Sequence, residues 1–325
     1  MKLILLDSIP NAPKIDLLGG FTQVFQGKPP SIESFFYSRS DSFACYLAPN
    51  DSQFFTSEYL EYIKEFSSHE HPILFFNRAD HPRRLQIQNG YSIQNTYNLK
   101  GCRNQIIVPY NILPLLEIPR RDYSPHPRIS FVGYINPHPW LSIIKTLLFS
   151  GDLQSLPSGA MIRAIGTKRI QNTFSNSLIL KRSHYGGARS LISNLDQFRG
   201  EYLDSIVNSD LVFTPRGDAN SSQRYYEVIS AGRMPIIPNS KMRFPKVLIG
   251  DVVINPPGIL IDWTASNLKS CVEEFWSNLS IQSWKKTQGE IQNFYISHYD
   301  YQVYMLQLFN IKSLQSLNGI THSLK

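Results

Sequence analysis

The sequence predicts an α/β fold of two domains, each built around a parallel sheet. Three observations carry this expectation. Short apolar runs without polar alternation recur along the chain, as strands buried on both faces do. Stretches with helical periodicity lie between them, the alternation that βαβ units produce. The length of 325 residues also exceeds the roughly 100–200 residues of one ordinary domain.

In chain order, strands are expected at Lys2–Leu6, Ala44–Leu47, Ile73–Phe76 and Ile106–Val108. A second set is expected at Ile129–Gly133, Met161–Ile165, Leu211–Thr214, Pro235–Ile237 and Val252–Ile254. Helical periodicity falls at Ser57–Phe66, Trp140–Phe149, Gln223–Ala231 and Ala265–Leu279. The polar, proline-rich stretch Ile118–Arg128 has the composition of an extended linker. It divides an N-terminal domain, residues 1–125, from a second domain, residues 126–285. Residues 286–325 close the chain as a helical segment, expected to pack back across the domains.

Composition narrows the function classes. At 42% hydrophobic and 18% charged residues the chain has material for a core, which excludes collagen and wholesale disorder. Lys and Arg number 32 against 25 Asp and Glu, a net charge of +7 that favours an anionic partner. There is no dense Lys/Arg run, so nucleic acid is not the expected partner. The cysteines Cys45, Cys102 and Cys271 are far apart and form no C-x-x-C pair, so a zinc site and a disulfide framework are both unexpected. Reduced thiols in a cytoplasmic protein fit better. Met1–Leu6 meets Asp7 too soon for a signal peptide and reads as a first buried strand. No apolar run reaches the roughly 20 residues of a transmembrane helix. Peripheral contact with a membrane surface stays open.

The chemistry concentrates in Ser209–Pro238. It reads as a strand, the polar loop Pro215-Arg216-Gly217-Asp218, a helix capped by Ser221 or Ser222, and another strand. Gly232 stands where a left-handed helix end is wanted. A polar loop feeding a helix N-terminus at the carboxyl end of a strand suits a phosphate. Arg224 in the first turn could clamp a diphosphate, and Glu227, one turn on, could accept from ribose hydroxyls. The competing reading is a local ion pair between these two residues.

The run Thr-Pro-Arg-Gly-Asp, Ser-x-Arg-x-x-Glu and Ala-Gly-x-x-Pro-Ile-Ile resembles the exostosin family of glycosyltransferases. Weaker echoes lie in the same order at Asn77–His81, Cys102–Pro109 and Ile129–Gly133. Thr214 stands where the family has a cysteine. The resemblance implies two Rossmann-like domains facing each other across a cleft (GT-B), with the nucleotide sugar on the C-terminal domain. It implies transfer of a sugar, with inversion, from a nucleotide-sugar donor to a glycan acceptor. A UDP-sugar is the expected donor, with GDP left open. Donor-binding residues would be Arg216, Gly217, Asp218, Ser221, Ser222, Arg224 and Glu227.

An inverting transfer needs a base for the acceptor hydroxyl. The resemblance points to Asp80, acting directly or by orienting His81, although Asp-His-Pro also suits a plain turn. The glycine-hinged loop with Arg182, His184 and Arg189 could cover the donor or grip the acceptor, or be a solvent-exposed connection. Asp-x-Asp, which holds a metal-bridged diphosphate in the other large glycosyltransferase fold, does not occur. Neither a metal nor another cofactor is expected. The alternative within the resemblance is an inactive partner subunit or glycan-binding module.

Overall fold

The computed structural model describes residues 2–7, 22–26, 42–47, 73–77, 90–94, 105–110, 112–136, 138, 140–141, 144, 157–182, 195–217, 221–240, 242–249 and 252–309. The chain forms two compact units, Met1–Pro109 with Arg243–Lys246 and Tyr301–Lys325, and Tyr110–Met242 with Val247–Asp300.

The first unit holds a parallel sheet of β1 (Lys2–Asp7), β2 (Thr22–Gln26), β3 (Ser42–Leu47), β4 (Ile73–Asn77), β5 (Gly90–Gln94) and β6 (Gln105–Ile107). Their order is β2-β1-β3-β4-β5-β6. The second unit begins with β7 (Ile129–Tyr134), α1 (Gly159–Thr173), β8 (Ser177–Arg182), α2 (Leu195–Val207) and β9 (Leu211–Phe213). It continues with α3 (Gln223–Ser230), β10 (Met234–Asn239), the hairpin β11 (Val247–Ile249) and β12 (Val252–Ile254), and β13 (Ile259–Asp262). Its sheet is parallel, in the order β13-β10-β9-β7-β8. Helices α4 (Leu268–Ser277) and α5 (Ile281–Phe294) and the π-helical turn Tyr295–Tyr299 complete the unit, and α6 (Tyr301–Phe309) returns to the first. The expected α/β architecture of parallel sheets is present.

Counting only each sheet's own strands, the first runs 2-1-3-4-5-6 and the second 2-1-3-4-5, the doubly wound order. In the second unit the chain leaves β7 for β8 on one side, then crosses to β9 on the other. The carboxyl ends of β7 and β9 therefore flank a topological switch point, where open α/β sheets bind ligands.

The core of this sheet is apolar on both faces, as parallel sheets require. Ile129, Phe131, Leu211, Phe213 and Ile236 on one face have no exposed surface, and Val132, Val212 and Ile237 are buried on the other. Helix α3 closes against it with Val228 and Ile229. The helix ends in a Schellman motif: Gly232 donates to Ile229 and Arg233 to Val228, both at 3.0 Å. Gly232 has φ +66°, the left-handed conformation its position predicts. A Cβ there would also lie 2.8 Å from the Gln288 carbonyl oxygen on α5. Gly232→Ala is therefore expected to destabilise the protein by about 1–2 kcal/mol from backbone strain alone. An unchanged melting temperature would contradict this.

Two expectations are corrected. Met161–Ile165 is not a strand but the first turns of α1, started by Ser158, whose hydroxyl accepts from the Met161 amide. A short apolar run does not by itself separate strand from buried helix. The proline-rich Ile118–Arg128 is not a free linker, because it is bonded to the second unit. Arg121 pairs with the fully buried Asp210 at 2.8 Å, and the Arg128 amide donates to the same carboxylate at 2.8 Å. Gln288 grips the Arg121 backbone from both sides, accepting at 2.8 Å and donating at 2.9 Å. Its polar side chains meet buried partners, which composition does not reveal.

The expected helix Ser57–Phe66 lies outside the described residues. Strands β2, β5, β8, β11 and β13 are not among the expected ones. Cys271 is a free, half-buried thiol. Among the described residues no helix is long and apolar enough to cross a membrane.

Candidate functional site

The carboxyl edge of the second sheet brings together the end of β7, the loop after β9 and the first turns of α1 and α3. The loop is pinned from below. Thr214 donates to the Ile236 carbonyl from its amide at 2.9 Å and its hydroxyl at 3.0 Å. Gly217 donates to the Ser221 carbonyl at 3.0 Å, closing the loop on itself. A Cβ on Gly159 would come within 2.3 Å of the Gly217 carbonyl oxygen, so glycine is needed where α1 meets the loop.

The predicted donor residues divide by what they touch. Arg216 is buried and donates to the Pro157 carbonyl at 2.7 Å, while its own carbonyl accepts from Arg163 at 3.4 Å. It ties the loop to the start of α1. Ser221 and Ser222 are buried, and Ser222 occupies the N-cap of α3 without a side-chain cap bond. The first-turn amides of α3 thus lack the serine cap expected for them.

Arg224 crosses from α3 to the end of β7. It donates to the Val132 carbonyl at 2.5 Å, and its guanidinium carbon lies 4.3 Å from the Phe131 ring centroid and 5.5 Å from that of Tyr202. Cations are favoured over aromatic faces at these distances. Gly133 leaves the passage open: a Cβ there would lie 2.9 Å from the Arg224 Nη2. Among the described residues the buried Arg224 Nε has no hydrogen-bond partner. No carboxylate forms an ion pair with Arg224 among the described residues.

Glu227 is 5% exposed and does not pair with Arg224. Its partners come from α2, with Arg199 donating at 2.9 Å and the Tyr202 hydroxyl at 2.5 Å. Burial, and then the Glu227 carboxylate, push the Tyr202 hydroxyl far above the ordinary phenol range. It remains a donor at any physiological pH. The local ion pair weighed from sequence is therefore not formed, because α2 supplies a better-placed cation.

Arg182, at the end of β8, is occupied: it pairs with Glu201 and its guanidinium carbon lies 4.1 Å from the Phe198 ring centroid. Asp80, His81, Asp218, His184 and Arg189 lie outside the described residues. Sequence reasoning missed Phe131, Arg199 and Tyr202. The only signal was Phe131 and Gly133 in the strand opening the second domain.

No protein-family model matches this sequence, and no curated protein does. Solved structures similar to this chain include a glycosyltransferase from Rickettsia africae ESF-5, at 11% identity and TM-score 0.43, with 99% of each chain covered. Another is AviGT4, a glycosyltransferase involved in avilamycin A biosynthesis, at 10% identity and TM-score 0.33, covering 98% of this chain and 99% of that one. Anabaena Alr3699/HepE in complex with UDP matches at 12% identity and TM-score 0.36, covering 97% of this chain and all of the other.

Proposed function

We propose that the protein is a glycosyltransferase that moves a sugar from a nucleotide carrier to a glycan acceptor. The observation that carries this reading is the setting of Arg224. It is a partly desolvated cation with no carboxylate pair, beside an uncapped helix start at the switch point of a parallel sheet. An anion bound there gains from the guanidinium, the first-turn amides and the helix dipole together. The exostosin-like spacing around Arg224 makes a nucleoside diphosphate, with UDP first and GDP second, the class of anion to test.

The chemistry follows. The acceptor hydroxyl oxygen attacks the anomeric carbon as the bond from that carbon to the diphosphate breaks, with inversion. The electron pair leaves with the diphosphate, and Arg224 and the α3 start offset its charge. The acceptor proton passes to a base, for which Asp80, directly or through His81, is the candidate. Asp80→Asn should then slow turnover while UDP affinity and melting temperature hold. Near-normal turnover in a stable variant would move the base elsewhere.

A melting series with UDP-, GDP-, ADP- and CMP-sugars tests the reading first, since a ligand bound only by the folded state raises the transition. A rise with one nucleotide class is expected. The proposal fails if none of them moves it. Transfer should also survive EDTA, because helix dipole and Arg224 do the work that a metal does beside Asp-x-Asp. Activity lost to EDTA and restored by manganese would overturn that part.

A further inference from the structure

Arg224 is held by neighbours that themselves need holding. The floor is Phe131, fully buried in β7 and fixed by its strand. The Tyr202 ring lies on the more weakly anchored side, 5.5 Å from the guanidinium carbon. Tyr202 projects from α2, and the anchor for its hydroxyl is Glu227, which Arg199 holds in turn. The three side chains form a chain, Arg199 to Glu227 to Tyr202, that ends against Arg224. Both Glu227 oxygens accept within it, and only 5% of the residue's surface is exposed, so little of it is open to a ligand.

We propose that Glu227 and Tyr202 are positioning residues: they fix the Arg224 guanidinium over the end of β7, and Glu227 does not read the ribose of a bound nucleotide. This rests on the reading of Arg224 as the diphosphate grip. The physical reason is that a long cationic side chain, with a single hydrogen bond among the described residues, has many rotamers to lose on binding. Aromatic walls restrict them beforehand, and a displaced grip loses its directional contacts.

Inorganic pyrophosphate separates the two roles of Glu227, because it has the diphosphate and no ribose. Calorimetry on wild type, Glu227→Gln and Tyr202→Phe would compare UDP with pyrophosphate. Each variant is expected to lose affinity for both ligands by the same factor, roughly three- to tenfold. A loss confined to UDP would assign Glu227 to the ribose and overturn the proposal. Unchanged affinity for both ligands in the folded variants would overturn it too.

A ligand-free measurement keeps the proposal separable from the parent reading. Phenylglyoxal modification of Arg224, read by peptide mass spectrometry, should be slow in wild type and several-fold faster in Tyr202→Leu. Arg182, paired with Glu201, serves as the internal reference. Arg224 equally protected in both proteins would sink the positioning role. If wild type binds neither UDP nor pyrophosphate, the diphosphate reading falls, and the modification rates still decide whether Tyr202 holds Arg224.

Discussion

Replacing Arg233 by leucine is expected to destabilise the second unit by about 3–5 kcal/mol, because it strands several buried neutral acceptors at once. Arg233 has no exposed surface, yet all its donors are used. Its Nε donates to the Ile206 carbonyl at 3.2 Å, and Nη2 to the carbonyls of Val207 at 3.2 Å and Pro119 at 2.8 Å. Nη1 reaches Gln288 Oε1 at 2.8 Å and the Ala231 carbonyl at 3.4 Å. Burial pulls its pKa down to about 10, still high enough to keep the charge at neutral pH. The cation sits at the carboxyl end of α2, where the helix dipole favours it. One guanidinium thus joins α2, the end of α3, the segment before β7 and α5.

Leucine would relieve the cost of burying the charge. It would also strand several buried carbonyls, at about 1–3 kcal/mol each. The stranded acceptors win. For a unit of this size the midpoint should fall by roughly 10 °C. Urea or thermal unfolding of the variant reads this directly, and a melting temperature within 2 °C of wild type would contradict it.

Arg224→Ala should cost the binding of a nucleoside diphosphate about 1.5–3 kcal/mol, or roughly ten- to 150-fold in affinity. The variant should fold, because Arg224 is only half-buried and makes one hydrogen bond among the described residues, to Val132. Removing it also takes away an unpartnered buried Nε, which offsets the lost stacking. Calorimetry with UDP on a variant of normal melting temperature is the measurement. Equal affinity in the two proteins would remove Arg224 from the site. A Lys at this position is not a substitute, because a compact ammonium lacks the planar fork and stacks less well on Phe131 and Tyr202.

The class of fold and the framework of the candidate site are legible in the chain's local patterns. Apolar β-rich runs such as Leu211–Phe213, with helical patterns between them, suit strands buried on both faces of a parallel sheet, so their pattern is local and legible. Gly232 was legible for the same reason: a helix end that needs a positive φ selects glycine. The strand, polar loop and helix around Arg224 followed from residues within one short window. Met161–Ile165 does not form the expected strand because five residues, four of them apolar, satisfy either period.

Only the tertiary structure decided who partners whom. Arg224 and Glu227 are three residues apart, and spacing pairs them. Their actual neighbours, Val132 and Phe131 for one and Arg199 and Tyr202 for the other, lie 25 to 93 residues away. The same holds for Arg216, which reads as a ligand residue but is drawn inward by the Pro157 carbonyl. It holds for Arg121 and Asp210, which turn a linker-like stretch into part of the second unit. A short-range signal records the backbone's preferences. The destination of a long polar side chain depends on which buried group is left needing a partner once the sheet and helices have closed.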